Sequence, residues 1–175
     1  AAILSHRERH GPFRSVVEPQ VDTYVAYDIE ARSDVDLLGS VEDMASVADA
    51  SVDTLLCSEV LEHVPHPTAA IAEFARVVAP GGSLLVTVPF LARLHEEPFD
   101  FYRYTKYGLR TLLDEGGFHV DEIVETASLF TFLGHQVSVG LLGLTWHLPA
   151  LRRVAVAVNR ALVVRPAVAL DRASR

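Results

Sequence analysis

The chain has 175 residues, half of them apolar, and a net charge of −8. That length and composition suit one ordinary domain with a real core, and the acidic balance argues against a nucleic-acid surface. A single cysteine, Cys57, leaves no internal disulfide framework and fits a reducing, cytoplasmic compartment.

The chain opens "AAILSHRERH", without an initiator methionine or a signal-peptide pattern. The first expected strand is "TYVAYD" (23–28), β-branched and aromatic residues that end in an acid. "VDLLG" (35–39) is a shorter candidate. Only residues 29–34 separate the two, whereas a parallel crossover takes about a dozen or more, so one of them should be short or irregular. "VDTLLC" (52–57) is nearly all apolar and suits a strand covered on both faces. A helix follows in "PTAAIAEFARVVAPGG" (67–82). Ala70, Ile71, Phe74, Val77 and Val78 recur at helical spacing, Pro67 starts it and "PGG" stops it. "SLLVTVP" (83–89) is the strongest strand. "TKYGLRTLLDEGGF" (105–118) reads as a helix capped by Thr105 and ended by Gly116 and Gly117, and "HVDEIVE" (119–125) alternates like a half-exposed strand.

Residues 126–151 carry no Asp, Glu, Lys or Arg. A spanning helix needs about 20 mostly apolar residues. The polar residues here and Pro149 favour buried helices or a hydrophobic lid over a pocket, with a surface-lying amphipathic helix as a third option. Helices are expected over 129–144 and 151–164, broken at "HLPA", before a fraying polar tail, "DRASR". The fold expected is a Rossmann-like α/β domain with a mostly parallel sheet and helices on both faces, incomplete at its first and last strands. Residues 1–125 would form its core, truncated at the N-terminus, and 126–175 an apolar helical cap or extension.

Ligands of open parallel sheets bind outside the carboxyl ends of the strands. Those positions hold Asp28-Ile29-Glu30, "GSVEDM" (39–44), "SEVLEHVPHP" (58–67) and "PFLARLHEEPFDFYRYT" (89–105). All are rich in polar, acidic or aromatic groups, while the strands are plain. An acid such as Asp28 at the end of an early strand can accept both hydroxyls of a ribose.

"YVAYDIE", "VEDM" with "ADASVDTLLCSEVLEHVPHP", "EFARVVAPGGSLLVTVPF" and "HEEPFDFYRYTKYGLRTLLDEGGF" together resemble the class I S-adenosylmethionine-dependent methyltransferases, the small type-11 group above all. The resemblance runs from residue 24 to 125. It implies that Asp28 holds the cofactor ribose and that Ile29 packs on the adenine. It also implies that Asp43 meets the adenine amino group, with Met44 against the ring, and that Ser58 and Glu59 line the methionine end. The family's glycine-rich loop, G-x-G-x-G after its first strand, has no counterpart; ahead of Tyr24 only Gly11 occurs. "GPFRSVV" (11–17) would be the start of the helix after that loop. The implied activity is methyl transfer from S-adenosylmethionine to a small-molecule or lipid-linked acceptor, with peripheral membrane contact through 126–168 as a further expectation.

Within "SEVLEHVPHP" three readings compete. A metal would take His63 and His66 with His95 or Glu96, but Pro65 and Pro67 disfavour a helical face and no cysteine helps, so no metal is expected. An acid/base pair would need Glu59 or Glu62 in a cleft. The rim of a cofactor pocket explains the position best. Glu62 and His63 are then structural, while Leu61 and Val64 pack inward. In "RLHEEPFDFYRYT" (93–105), His95 is the candidate base and Glu96, Asp100, Tyr102 and Arg103 the candidate acceptor-binding residues; the rival reading is a loop held by Arg103 with Asp100 or Glu97. A non-catalytic module of the same fold is the main functional alternative. A nucleotide-sugar or dinucleotide oxidoreductase is a second, although Tyr102 and Lys106 follow the wrong strand for a Tyr-x-x-x-Lys pair.

Overall fold

The computed structural model describes residues 2–5, 14–126, 129–145 and 147–173. The chain divides into two compact units, Ala1–Asp121 and Glu122–Arg175.

The first unit is built on five parallel strands in the order β3-β2-β1-β4-β5. Its central strand, β1 (Ala2–Ser5), pairs with β2 (Tyr24–Asp28) on one side and β4 (Val52–Ser58) on the other. This strand is not among the elements read from the sequence. "AILS" is only four residues long and abuts a charged run, too short a pattern to separate from a loop. Of "GPFRSVV", residues 14–17 form the short helix α1 (Arg14–Val17); residues 11–13, like the position of the glycine-rich loop, lie outside the described residues.

The crowded pair of strands resolves as one full and one vestigial element. β3 (Leu37–Leu38) has two residues and is reached from β2 by a loop rather than a helix. Asp36 makes that short crossing work: its Oδ2 accepts from Ala26 N at 2.8 Å and its own N–H donates to the Ala26 carbonyl at 2.9 Å. β4 leads through a single 3-10 turn, Leu61–His63, into α2 (Pro67–Val77). This helix buries Ala70, Ile71, Phe74 and Val77, the face that the spacing predicts.

β5 (Val78–Thr87) begins directly at the end of α2, so "PGG" is an irregularity inside the strand and not a turn before it. Gly81 takes a φ of +79°, and a Cβ on Gly82 would lie 2.9 Å from the backbone oxygens of Ala79 and Asp53. Both positions therefore require glycine. α3 (Lys106–Glu115) starts at Thr105, whose hydroxyl accepts from Gly108 N at 3.0 Å. Tyr27, Met44, Leu55, Cys57, Leu61, Ile71, Phe74, Leu109 and Leu113 share one core. Burial raises the Cys57 thiol above its ordinary range.

"HVDEIVE" is not a strand; residues 118–126 carry no regular secondary structure. The alternation is real in that Val120 packs on the core, but its carbonyl accepts from Arg110 Nη1 at 3.3 Å instead of joining a ladder. Alternation encodes which face is buried, not whether a partner strand is within reach.

The second unit is helical: α4 (Leu129–Leu144), α5 (Pro149–Asn159), a five-residue π-helical stretch (Arg160–Val164) and α6 (Arg165–Ala173). The tail "DRASR" is not simply fraying. Asp171 is buried and caps α4, with Oδ1 accepting from Phe130 N and Oδ2 from Thr131 N, both at 3.0 Å, and Oδ2 also from the Thr131 hydroxyl. Gly134 lets α4 and α6 approach, since a Cβ there would sit 2.8 Å from Ala167 Cβ. No described helix is long and apolar enough to cross a membrane.

Candidate active site

The strand order changes direction between β1 and β4. That is the point where an open parallel sheet offers a crevice at its carboxyl edge. Asp28 closes β2 on one side of β1, and Ser58 closes β4 on the other.

Asp28 is buried. Its Oδ1 accepts from Glu30 N at 2.9 Å and its Oδ2 from Arg32 Nη2 at 2.5 Å. Each carboxylate oxygen has about two acceptor positions, so each keeps one for a further donor. Ile29, next in the chain, is 68% exposed, and Leu38, the register partner of Asp28, is 55% exposed. Two apolar side chains thus stand in solvent at neighbouring strand ends, where a planar ring would cover them. Leu38 escapes a reading based on polar residues at strand ends, although its place at the end of β3 points to it.

Asp43 is exposed beyond β3, in a turn whose Ser40 carbonyl accepts from Asp43 N at 3.0 Å. Met44 does not belong beside it. Its side chain is 1% exposed and lies in the core. Glu73 Oε2 accepts from Met44 N at 2.7 Å and Arg76 Nη2 donates to its carbonyl at 2.9 Å. Anchored at both backbone groups and drawn into apolar surroundings, Met44 packs under the loop and is not a ring contact.

At the other side of β1, Ser58 Oγ lies 3.0 Å from Thr87 Oγ1, which donates to Glu59 Oε1 at 2.9 Å. Glu59 has a φ of +52°, a left-handed conformation unusual for this residue, and its N–H donates to the Thr87 carbonyl at 3.0 Å. Thr87, at the end of β5, is a member of this rim that sequence reasoning missed; only the β4–β5 register reveals it.

The turn after β4 and the loop after β5 are tied together. The Glu62 carbonyl accepts from Phe101 N at 2.8 Å, Tyr104 OH donates to the Leu61 carbonyl at 3.1 Å and Tyr102 OH to the Pro65 carbonyl at 2.9 Å. Leu61 and Val64 pack inward as expected. Burial raises the Tyr104 phenol above its ordinary range. Arg103 grips both Asp100 oxygens, at 2.6 and 2.7 Å, and donates to the carbonyls of Ala92 and Arg93. Those bonds hold the Asp100 carboxyl well below the usual carboxylate range. Asp100 and Arg103 are thus the loop's internal staple, and Tyr102 is spent on a backbone contact. Glu96 is exposed, with a φ of +55°.

His95 is brought to the turn after β4, with its ring 4.8 Å from that of His63 in an edge-on arrangement. Its Nδ1 lies 3.2 Å from the Arg93 carbonyl, 3.3 Å from Arg103 Nη2 and 3.4 Å from Asp100 Oδ2. His63 Nδ1 donates to the Phe99 carbonyl at 2.5 Å. Beneath them Glu62 is fully buried and neither of its carboxylate oxygens has a hydrogen-bond partner. Burial pushes its carboxyl up to about 7. His66 points elsewhere, bonding Glu42 Oε1 at 2.9 Å, so the His63–His66 pairing does not form.

Residues 10–86 match the family model of a methyltransferase domain. The ubiquinone biosynthesis O-methyltransferase of Xanthomonas oryzae pv. oryzae (strain PXO99A) is 39% identical over 97 residues, 54% of this chain and 38% of that protein. The protein of the same name from Xanthomonas campestris pv. campestris (strain B100) is 34% identical over 111 residues, 61% of this chain and 44% of that one. The chain therefore spans about two fifths of the curated relatives it matches. An S-adenosylmethionine-dependent methyltransferase from Archaeoglobus fulgidus superposes with a TM-score of 0.58 at 17% identity, covering 74% of this chain and 67% of that one. The [4+2]-cyclase SpnF superposes with 0.56 at 18% identity, covering 90% and 67%. Both likenesses are of fold, and the second shows that this fold also carries other chemistry.

The cofactor of the family is S-adenosylmethionine. The residues at this edge fit its adenosine half: a buried carboxylate with acceptor capacity for two hydroxyls, beside two exposed apolar side chains.

Proposed function

We propose that this chain binds S-adenosylmethionine across the carboxyl edge of β1 and transfers its methyl group to a small-molecule or lipid-linked acceptor. The observation that carries this reading is the placing of Asp28 and of the Ser58–Thr87–Glu59 network on either side of β1. Asp28 would hold the ribose, Ile29 and Leu38 the face of the adenine, and Asp43 its amino group. Ser58 and Glu59 would meet the methionine end. When bound, the cofactor supplies a methyl group activated by its sulfonium, so the protein's task is alignment and exclusion of water. His95 would take the acceptor's proton.

Two observations favour a lipid-linked acceptor met at a membrane surface. The relatives named above are ubiquinone biosynthesis enzymes. Between residues 126 and 173 the chain carries five arginines against one acid, Asp171. The same helices expose Leu133, Val137, Leu141, Leu144, Leu151 and Leu162. Arg153, Arg160 and Arg165 line one groove with Val156, Ala157 and Ala161. Arginines beside apolar side chains suit an anionic headgroup layer.

The test is transfer of label from methyl-labelled S-adenosylmethionine into organic-soluble phenolic acceptors presented in anionic vesicles. The reading expects label in the organic phase from the wild-type chain and a loss of at least about tenfold with Asp28→Ala. Cofactor binding without transfer to any acceptor would instead support the non-catalytic module. That alternative draws on the missing G-x-G-x-G run.

A further inference from the structure

We propose that Arg32 is a positioning residue for the cofactor ribose, acting through Asp28: it fixes the carboxylate in one orientation, so that the same two acceptor positions await the two hydroxyls. The inference rests on the reading of Asp28 as the ribose acceptor. Arg32 Nη2 donates to Asp28 Oδ2 at 2.5 Å, and Glu30 N donates to Oδ1 at 2.9 Å. One donor on each oxygen stops rotation about the terminal torsion of the side chain, which is otherwise broad for an aspartate. A carboxylate held in this way has used two of its roughly four acceptor positions and keeps two.

Three observations separate this pair from an ordinary surface contact. The side chains of Arg32 and Asp28 are only 18% and 7% exposed, so solvent screens the pair less than an open one. Second, the four-residue spacing is not a by-product of helix geometry, because residues 29–36 contain no helix. Third, the loop that carries Arg32 is itself anchored. The Arg32 carbonyl accepts from Val35 N at 3.2 Å, the Asp34 carbonyl accepts from Arg14 Nη1 at 2.9 Å, and Asp36 is bonded twice to Ala26. At the start of the loop the Asp28 carbonyl accepts from Gly39 N at 3.0 Å. The guanidinium is thus brought to Oδ2 by a segment tied along its length, and a binding group whose supports are themselves fixed is preorganised.

Without Arg32, Asp28 keeps its place at the end of β2 but its carboxylate samples several orientations, and the ribose has to select one of them. The loss falls on the hydroxyls alone. Contacts of the adenine with Ile29 and Leu38, and of the methionine end with Ser58 and Glu59, do not depend on how that carboxylate is turned. A ligand without the two hydroxyls should therefore be indifferent to Arg32. A role confined to holding the loop together would instead weaken both ligands alike.

The experiment is calorimetric titration of S-adenosylhomocysteine and of its 2′,3′-dideoxy analogue into the 175-residue chain, into Arg32→Ala, into Asp28→Ala and into the double variant. Circular dichroism of each variant reports folding. Arg32→Ala should weaken S-adenosylhomocysteine at least about fivefold and leave the dideoxy analogue within about twofold of wild type. Added to Asp28→Ala, it should change neither affinity, since a residue that acts through another has no effect once that one is gone. Arg32→Lys keeps a charge beside Asp28 and decides the matter if Arg32→Ala does not fold. It should show the same ligand-selective loss, at least about threefold, because a flexible ammonium stem holds one orientation less well than a planar guanidinium. Equal losses for the two ligands, or full affinity for S-adenosylhomocysteine in the folded Arg32 variants, would overturn the proposal and leave the reading of Asp28 intact. A folded wild-type chain that binds neither ligand, or does not distinguish them, would overturn both.

Discussion

Glu73 shows how single side chains set this structure. It sits on α2 yet fixes the loop after β3, accepting from Met44 N and pairing with Arg76, which also reaches the Met44 and Val47 carbonyls and Asp49. Hydrogen bonds from Arg76 lower the Glu73 carboxyl below its ordinary 4.5. A depressed carboxyl contributes stability above its unfolded-state value and loses it as the pH falls through the folded one. Glu73→Gln should therefore cost about 2 kcal/mol at neutral pH, and the gap from wild type should narrow steadily below pH 4.5. Denaturant melts across about pH 3 to 7 check this; a gap that widens on acidification would contradict it. At this scale the sequence was legible where chemistry is local. Asp28 at a strand end and Leu61 and Val64 turned inward follow from neighbours in the chain. Met44 was misread because its burial depends on Glu73, twenty-nine positions away.

Elements followed from the sequence when periodicity and end chemistry agreed. α3 has both, a Thr105 cap and the Gly116–Gly117 stop, with Gly116 set against Ile71 where a Cβ would lie 2.1 Å from Cγ2. Thr105→Ala should cost about 1 kcal/mol and speed amide exchange in the first turn of α3 before any other helix; unchanged exchange there would show that the cap is idle. β1 and β3 were hard to see or judge because both are short and owe their stability to neighbours. "HVDEIVE" failed for the complementary reason, a sound pattern without a partner strand. The loop of residues 89–105 carried chemistry-bearing residues that sequence alone could not sort. The structure spends Asp100, Arg103 and Tyr102 on holding the loop and leaves His95 facing His63 and Glu62.

For the molecule as a whole, the strand order matters more than any motif. It places the ends of β2 and β4 astride β1, with Asp28 and Ile29 on one side and Ser58 and Glu59 on the other, although the glycine-rich run is missing from the sequence. The order itself was not legible, since pairing joins strands far apart in the chain. Everything proposed for this edge depends on its holding the cofactor. Calorimetric titration of S-adenosylhomocysteine into the wild-type chain and into Asp28→Ala tests it most directly. The account predicts saturable one-to-one binding that the variant weakens by at least about tenfold, near the 1.4 kcal/mol of a single good hydrogen bond. A folded wild-type chain that takes up no ligand, or one whose affinity is indifferent to Asp28, would contradict it.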